Sequence, residues 1–296
     1  MIEILNLRKT YPHQTEPALW DISFKVAENE QVGIIGANGS GKTTLFRLIL
    51  NFIRPDSGEI RIMGDSDLER AKKYVGFVPE HQEGLENFTP QELLILSGRM
   101  SRLPKEIIKK RAEELLLWSG LDKNRNQLLD SFSKGMVQRL QLALALVHRP
   151  KILLLDEPMS GLDPAGQQAL RGLLKGLEGF TMLYTSHNLS DVENFCDRVM
   201  IFHQGSIIKD LQLAGQETDI FTIETEPAFL KILGKYPEIE IRSQGQNKNS
   251  LKIEFIARQS VMQDLIAECR KENISIRRLR SRSILDDLYA RYVKNE

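Results

Sequence analysis

Three features of the sequence predict an α/β fold with a helical insert, followed by a small α+β domain. Strand and helix patterns alternate through roughly the first two thirds of the chain, as they do in proteins built on a parallel sheet. Helix patterns follow one another from about residue 84 to residue 148. From residue 215 the order becomes β-α-β-β-α-β with one further helix, which is typical of a ferredoxin-like domain. We therefore predict two domains, residues 1–214 and 215–296.

Apolar periodicity places the elements of the first domain. It predicts strands at residues 2–7, 22–26, 31–35, 59–63, 74–78, 152–155, 181–185, 198–203 and 206–209. The run at 152–155 contains no polar residue, which is typical of a parallel strand buried on both faces. Helical spacing predicts helices at 44–49, 90–100, 105–118, 134–148, 167–177 and 189–195, with Gly120 closing the third.

The second domain is predicted from the same signals. Strands are expected at residues 220–225, 239–243, 251–256 and 274–279, helices at 229–234 and 261–269, and a turn at 245–247. Residues 277–282 contain four arginines, the strongest charge run in the chain. We interpret this run as a solvated strand edge that leads into a last helix capped at Ser283. A contact with membrane headgroups or a regulatory partner is the alternative.

The composition narrows the classes of function. Forty basic and forty acidic residues leave a formal net charge of zero, so a nucleic-acid partner is not expected. The longest apolar runs fall far short of the roughly 20 residues of a membrane-spanning helix. The N-terminus does not have the pattern of a signal peptide, and Cys196 and Cys269 fit no disulfide framework or metal spacing. We expect a soluble intracellular protein, whose membrane function, if any, depends on another chain.

A glycine-rich turn separates the predicted strand 31–35 from the predicted helix 44–49. It matches the pattern G-x-x-x-x-G-K-[ST] through Gly36, Ala37, Asn38, Gly39, Ser40, Gly41, Lys42, Thr43 and Thr44. Glycines let successive N–H groups point inward around a phosphate, and the helix start adds unpaired donors and a positive dipole end. In this pattern Lys42 reaches the β- and γ-phosphates and the Thr43 hydroxyl binds Mg²⁺. The turn predicts a nucleoside triphosphate site rather than a flexible Gly/Ser loop.

Two carboxylates, Asp156 and Glu157, end the buried strand at 152–155. Successive side chains of a strand point to opposite faces, so both can serve one site only if the strand stops there. Pro158 supplies that stop. The first carboxylate would hold Mg²⁺ and the second would polarise the attacking water. A solvated acidic turn is the alternative, but it does not explain the four apolar residues before the pair.

A third motif begins at a predicted helix start between these two. Ser133 and Gly135 offer a hydroxyl and bare N–H groups to an anion, although Ser133 alone would simply be an N-cap. The pattern Ser133-x-Gly135-x-x-Gln138-Arg139, followed by a hydrophobic strand ending in Asp-Glu-Pro, resembles the signature motif of ATP-binding cassette (ABC) ATPases. Lys134 stands where that motif usually has its first glycine, a variant similar to cassettes of ABC-2-type exporters.

The resemblance covers residues 1 to about 213 and assigns roles to further positions. It implies a P-loop NTPase cassette with a RecA-like core and a helical insert. Tyr11 would stack on adenine, His187 would contact the γ-phosphate, and Asp163 belongs to a segment that contacts the other protomer. One position departs from the family: Glu80 stands where a glutamine usually binds Mg²⁺. A glutamate can still bind a hard cation through oxygen, and Gln82 is the alternative candidate.

The resemblance also implies a mechanism. Two cassettes face each other head to tail with two ATP molecules between them, and Ser133 and Gly135 of one chain cover the γ-phosphate held by the other. Binding of ATP would close a homodimer of cassettes and hydrolysis would open it, and this movement would drive a separate integral-membrane permease. The docking helix of that permease is expected near residues 80–91.

We expect the ATPase subunit of an ABC transporter, an exporter by its signature variant and tail domain, at the inner face of the cell membrane. An importer subunit, a soluble ABC ATPase of the repair or translation type and a nucleotide-sensing regulator are the alternatives. The cofactors expected are ATP and Mg²⁺.

Overall fold

The computed structural model describes residues 1–177, 179–213, 218–247 and 250–293. The chain divides into two units, Met1–Ala214 and Gly215–Glu296. Within the described ranges we find no helix with both the length and the hydropathy of a membrane span.

Two sheets form the framework of the first unit. Its described strands are β1 (Ile2–Lys9), β2 (Leu19–Val26), β3 (Gln31–Ile35), β4 (Ser57–Ile62), β5 (Val75–Val78), β6 (Ile152–Asp156), β7 (Thr181–Ser186), β8 (Arg198–His203) and β9 (Ser206–Gln212). The larger sheet has the order β5-β6-β7-β3-β8-β9, with parallel neighbours except for the β8–β9 hairpin. The smaller sheet, β2-β1-β4, is antiparallel. The predicted α/β architecture is confirmed.

The carboxyl ends of three central strands position the functional residues. β3 lies beside β7 and β7 lies beside β6, and all three run in the same direction. Ile35 is in register with Ser186, and Asp156 is in register with Thr185. Every residue of β6 is buried, as its unbroken apolar run predicted. The segments that follow these strands therefore meet at one edge of the sheet, where ligands bind in open α/β folds.

One apolar core holds the two sheets together. It joins Ile4 of β1, Ile34 of β3, Phe46 of the first helix and Leu154 of β6, each of which is fully buried. Burial of such side chains stabilises a fold by about 1.5–3 kcal/mol each. The helix that follows the glycine-rich turn is thus fixed between the sheets.

The helices of the first unit lie between its strands along the chain. They are α1 (Lys42–Ile49), α2 (Leu68–Ala71), α3 (Pro90–Met100), α4 (Lys105–Trp118), α5 (Lys134–Ala145), α6 (Pro164–Lys175) and α7 (Leu189–Phe195). The three helices α3, α4 and α5 follow β5 without an intervening strand, as the helical insert was predicted to do. Thr89 and Glu92 form a reciprocal capping box at the start of α3. Gly120 follows the C-cap of α4 with a φ of 66°.

The predicted end of α5 is wrong by three residues. The helix was expected to run to His148, but it ends at Ala145. Leu146 and Val147 donate their N–H groups to the carbonyl groups three residues earlier, at Ala143 and Leu144. These shorter bonds tighten the last turn, which is a common way for a helix to end.

The second unit has the order β10 (Thr218–Thr225), α8 (Phe229–Leu233), β11 (Glu240–Asn247), β12 (Ser250–Arg258), α9 (Gln259–Lys271), β13 (Arg278–Ser283) and α10 (Ile284–Val293). Its sheet is antiparallel with the strand order β11-β12-β10-β13. This is the split β-α-β arrangement of ferredoxin-like folds. Phe221, Ile253, Phe255 and Leu265 belong to its separate apolar core.

Several element ends in this unit differ from prediction by one or two residues, and two predictions, the turn at 245–247 and the start of the last strand, are wrong by more. The turn expected at residues 245–247 lies inside β11, where Gly245 is in register with Lys252. The strand expected at 274–279 instead begins at Arg278. Ile274 and Ile276 pack against the core outside any strand, whereas the arginine-rich segment is in register with β10. The interpretation of residues 277–282 as a solvated strand edge is confirmed, and Ser283 accepts the N–H of Asp286 as the predicted helix cap.

Candidate functional site

The glycine-rich turn is shaped by close backbone packing. Gly41 has a φ of 107°, and a Cβ there would lie 2.6 Å from the Ala18 carbonyl oxygen. A Cβ on Gly36 would lie 2.4 Å from the carbonyl oxygen of Phe202. Both positions therefore require glycine. α1 begins directly after Gly41 with no side-chain cap, so its first N–H groups lack the partner that a capping residue gives.

The Lys42 amine connects this turn to the acidic end of β6. Its Nζ donates to the carbonyl oxygen of Gly36 at 2.8 Å and to that of Ala37 at 3.2 Å. The same atom lies 3.5 Å from Oε1 of Glu157, and the two side chains are only 6% and 7% exposed. A buried ion pair of this kind fixes both groups, because losing either would leave the other charge uncompensated.

Thr185 holds the carboxylate of Asp156. The Thr185 hydroxyl donates to Asp156 Oδ1 at 2.7 Å and accepts the N–H of Glu157 at 2.9 Å. The Thr43 side chain lies near the same carboxylate. Burial raises the pKa of Asp156 above its ordinary value of 3.8, the two threonines lower it, and the charges of Glu157 and Glu80 raise it further. Asp156 is thus positioned by Thr185 of β7 and lies beside Thr43 of α1.

Glu157 leaves the strand and turns toward the same site. β6 ends at Asp156, and Glu157 has a φ of 47°, a left-handed conformation that is uncommon for a non-glycine residue. Its Oε2 lies 2.5 Å from Nδ1 of His187 and accepts the backbone N–H of His187 at 3.3 Å. The His187 side chain is 58% exposed. The predicted end of the strand is confirmed, and that both carboxylates serve one site stays a prediction.

Two cavities that share residues lie beside the glycine-rich turn. One cavity, of about 240 Å³, is lined by Asn38, Gly39, Gly41, Lys42, Thr43, Thr44, Glu80 and Glu157. A second, of about 560 Å³, is lined by Tyr11 and the segment after it together with Gly39 and Thr44. The Tyr11 hydroxyl lies 3.4 Å from Oγ1 of Thr44. A phosphate cavity and an adjoining space beside an aromatic ring match the two ends of a nucleotide.

The donor atoms near Thr43 fit a hard divalent cation. The Thr43 hydroxyl, the Asp156 carboxylate and Glu80 at the cavity wall all offer oxygen. Proteins bind Mg²⁺ through one or two carboxylates together with substrate phosphates and water, and these oxygens are of that kind.

Seven predicted site residues line neither cavity, namely Gly36, Ser40, Asp156, His187, Ser133, Gly135 and Asp163, and the last three lie at the starts of two other helices. Ser133 caps α5 by accepting the N–H of Met136 at 3.3 Å, and Asp163 caps α6 by accepting the N–H of Gly166 at 2.9 Å. A Cβ on Gly135 would lie 3.4 Å from the Gly166 Cα, so the two helix starts are neighbours. Their contact with a nucleotide on a second protomer stays a prediction. Gln82, the alternative to Glu80, lines a different groove beside Phe77.

Sequence reasoning missed two contributors to the site. The sequence places Thr185 at the end of the predicted strand 181–185 and gives it no separate role, although a hydroxyl at the carboxyl end of a buried strand is a usable signal. Gly205 lies between the predicted strands 198–203 and 206–209 and receives no role from the sequence, yet its N–H donates to the carbonyl oxygen of Ser40 at 3.1 Å. A Cβ on Gly205 would lie 2.8 Å from the Ala18 carbonyl oxygen. This hairpin therefore supports the glycine-rich turn from behind.

The fold and the site define a P-loop nucleoside triphosphatase. The ABC transporter family model matches residues 19–160. An uncharacterized ABC transporter ATP-binding protein of Bacillus subtilis, YxlF, is 32% identical over 99% of both chains. The linearmycin resistance ATP-binding protein LnrL of B. subtilis is 34% identical, covering 74% of this chain and 70% of its own. The methionine import ATP-binding protein MetN of Photorhabdus laumondii is also 34% identical, covering 71% and 64%.

A solved dimeric ATP-binding cassette bound to ADP and Pi has a similar fold. It is 28% identical with a TM-score of 0.66, and the match covers 73% of this chain and all of that one. The chain therefore belongs to the ATP-binding subunits of ABC transporters, and it is an ATPase.

Proposed function

We propose that this ATPase drives an ABC exporter by closing and opening a cassette dimer against a separate membrane subunit. The observation that carries the proposal is the buried Lys42–Glu157 ion pair beside the glycine-rich turn, which the exposed His187 side chain contacts through Glu157. This arrangement places the Lys42 ammonium group, which can bind phosphate oxygens, next to the Glu157 carboxylate, which can polarise water. The cassette would then act on the cytoplasmic side of the membrane, where ATP is available.

Each residue of the site has a separate role in this proposal. Lys42 and the N–H groups of the turn neutralise the β- and γ-phosphates, and Tyr11 stacks on the adenine. Glu157 orients and polarises the attacking water. His187 holds the Glu157 carboxylate through the 2.5 Å contact and faces the γ-phosphate from its exposed side. The negative charge that develops on the γ-phosphate in the transition state would be stabilised by groups that are already in place.

The residues present fit a bound Mg²⁺ ion. Thr43 and Asp156 would hold it, with Glu80 at the cavity wall, and when bound it would neutralise charge on the phosphate oxygens. Thr185 orients the Asp156 carboxylate whether or not a metal ion is bound, because Thr185 is fixed by the pairing of β7 with β6.

Dimerisation would complete the site. Ser133 and Gly135 begin a twelve-residue helix, α5, and lie outside the cavities of their own chain. In the proposed dimer this helix start covers the γ-phosphate bound by the partner, and Asp163 lies beside it. ATP then binds the closed dimer better than the open one, which is what allows nucleotide to shift the equilibrium.

The direction of transport is proposed from two features of this chain. Lys134 replaces a signature glycine as in exporter cassettes, and a tail unit follows the cassette. The resistance named for LnrL agrees with export, whereas the name of MetN specifies import, so an importer subunit is the second candidate.

The test is to isolate the tagged Glu157→Gln variant from detergent-solubilised native membranes with MgATP. We expect recovery of a polytopic membrane protein, and accumulation of that protein's cargo outside cells would establish export. Recovery of ribosomes, DNA-bound complexes or the cassette alone would contradict the transporter proposal. Wild-type chain with EDTA is the matched control, because it should not form the ATP-locked dimer.

A further inference from the structure

Two helices of the first unit begin shortly after residues of the candidate site. α6 follows the turn that starts at Glu157, and α7 begins two residues after His187. In that turn the N–H of Ser160 donates to the Glu157 carbonyl oxygen at 2.9 Å. Glu157 and His187, whose side chains contact each other, therefore both lie in short connections between a strand and a helix.

An ion pair joins the same two helices further along the chain. Nη2 of Arg171 in α6 donates to Oδ1 of Asp191 in α7 at 2.8 Å. The Asp191 side chain is 3% exposed, and that of Arg171 is 36% exposed. Asp191 lies in the first turn of α7, where the helix dipole also favours a carboxylate. Because a buried carboxylate needs such partners to stay ionised, the pair fixes α6 and α7 to each other.

The two contacts close a ring. One side of the ring is the segment 157–171 and the other is the segment 187–191, and they meet at the Glu157–His187 contact and at the Arg171–Asp191 pair. His187 is only four positions from Asp191, and the chain between them is helical from Leu189 onward. A movement of the first turn of α7 would therefore carry His187 with it.

Apolar packing alone does not set the rotation of α7. A Cβ on Gly33 of β3 would overlap the Val192 side chain, so this face of the helix lies directly on the sheet. The rings of Phe195 and Tyr184 also pack together, with centroids 6.0 Å apart. Such burial is non-directional, whereas a hydrogen bond between a guanidinium and a carboxylate has a defined geometry. The ion pair is thus the contact that specifies how the first turn faces the site.

The Tyr184 side chain links the pair to Glu157 electrostatically. Within the described ranges the buried Tyr184 hydroxyl and the Arg171 Nε atom have no hydrogen-bond partner. Burial raises the pKa of Tyr184, the charges of Asp191 and Glu157 raise it further, and the charge of Arg171 lowers it. Two carboxylates and one guanidinium therefore act on the same buried ring. Loss of Arg171 would leave the Asp191 carboxylate without its counter-charge in this region.

We propose that Arg171 and Asp191 are positioning residues for ATP hydrolysis, because their pair sets α7 so that His187 stays in contact with Glu157. This inference rests on the roles proposed for His187 and Glu157, and it adds the residues that hold them together. Without Arg171, the buried carboxylate of Asp191 would gain free energy by turning toward water. The first turn of α7 would then shift and carry His187 away from Glu157.

Steady-state kinetics of Arg171→Gln test the inference. We expect kcat to fall about tenfold or more, because a small misplacement of reacting groups can cost about 10²-fold in rate. Arg171 lines neither nucleotide cavity, so the KM for ATP should stay close to that of wild type. Arg171→Lys keeps the positive charge and should restore most of the turnover. Arg111→Gln is the matched control: it breaks a 3.0 Å ion pair with Glu114 on α4, and kcat should be unchanged.

A second substitution separates positioning from a general loss of stability. If Arg171 acts through His187, then Arg171→Gln should lower kcat no further in a chain that already carries His187→Ala. Single-turnover hydrolysis of radiolabelled ATP makes such slow rates measurable. Losses that multiply in the double variant would overturn the inference, because Arg171 would then act independently of His187.

Nitrogen-15 NMR of the histidine side chains detects the contact without turnover. The chain has five histidines, and the His187 resonances are those that disappear in His187→Ala. We expect Arg171→Gln to shift the Nδ1 resonance of His187, whereas Arg111→Gln should leave it in place. Thermal unfolding shows whether each variant folds. If Arg171→Gln does not fold, Asp191→Asn removes the charge of the pair while keeping its shape, and it should shift the same resonance.

The outcomes separate this inference from the function on which it rests. Wild-type turnover in His187→Ala would contradict the role proposed for His187 and, with it, the positioning role. Loss of turnover in His187→Ala, together with wild-type kcat and an unchanged His187 resonance in Arg171→Gln, would overturn the positioning role alone. The proposed roles of His187 and Glu157 in hydrolysis would then stand.

Discussion

The Thr185 hydroxyl donates to Asp156 Oδ1 at 2.7 Å across two parallel strands. Its oxygen also accepts the N–H of Glu157, so one side chain positions both members of the acidic pair. Thr185→Val keeps the branched shape but leaves a buried carboxylate and a buried N–H without this partner. We expect the free energy of unfolding to fall by about 1–3 kcal/mol.

Loss of the Thr185 hydroxyl should also slow ATP hydrolysis, because the carboxylates of Asp156 and Glu157 would lose their orientation. Urea unfolding followed by the fluorescence of Trp20 and Trp118, and phosphate release, measure the two effects. Thr185→Ser retains the hydroxyl and should restore most of the activity. Equal loss in the Val and Ser variants would show that the methyl group, not the hydroxyl, matters.

Glu157→Gln should separate binding from hydrolysis. The amide can occupy the same space but cannot take up a proton, and removal of a general base costs about 10²–10⁴-fold in rate. We expect MgATP binding to persist and a dimer to accumulate, measured by phosphate release and by size-exclusion chromatography with light scattering. Glu106→Gln, at an exposed position on α4, is the matched control. Unchanged turnover in the Glu157 variant would remove the role assigned to this residue.

Lys42→Ala should abolish nucleotide binding. The substitution removes the amine that contacts Gly36, Ala37 and Glu157. Truncating one partner of a buried charge pair costs about 2–5 kcal/mol of interaction free energy, because the other charge is left unpaired. Isothermal titration calorimetry with MgATP measures the affinity, and thermal unfolding without nucleotide shows whether the variant still folds. A folded variant that retains wild-type affinity would contradict the role of Lys42.

The glycine-rich turn could be predicted from sequence because its chemistry is contiguous. Glycines, lysine and hydroxyl follow one another, so their spacing alone fixes their geometry. The contacts of Thr185 could not be predicted in this way, since its partners lie 28 and 29 residues earlier and meet it only through strand register. The same limit explains why the start of β13 was predicted wrongly. Ile274 and Ile276 look like strand residues by hydropathy, but the strand is set by pairing of Arg278–Ser283 with β10.

Two glycines should respond to alanine in opposite directions. Gly172 lies within α6, and a Cβ there would meet nothing within 4 Å, so Gly172→Ala should stabilise the fold by about 0.5–1 kcal/mol. Gly41→Ala would force a left-handed backbone on alanine and bring its Cβ within 2.6 Å of the Ala18 carbonyl oxygen. We expect it to lower stability by about 1–3 kcal/mol and to weaken ATP binding. Urea unfolding of both variants tests the contrast, and a stabilising effect at Gly41 would contradict the geometry of the turn.

Asp287 of α10 anchors this helix to the sheet of the second unit. Its side chain is 8% exposed and contacts three arginines, Arg242 at 2.6 Å, Arg282 at 2.8 Å and Arg291 at 2.9 Å. Burial raises the pKa of Asp287, but the hydrogen bonds and charges of these arginines outweigh it and hold the pKa below 3.8.

The folded state therefore favours the ionised carboxylate. Its contribution to stability is present above the pKa of the unfolded chain and is lost as the pH falls through the lower folded value. Asp287→Asn should destabilise the second unit by about 1–3 kcal/mol at neutral pH, and its difference from wild type should shrink below pH 3.8. Amide hydrogen exchange in α10, compared between wild type and the Asp287→Asn variant at each pH, measures this difference in stability locally. Asp286→Asn, at the exposed neighbouring carboxylate, should show little change. A difference at Asp287 that stays constant through acid pH would mean that shape, rather than charge, anchors α10 to the sheet.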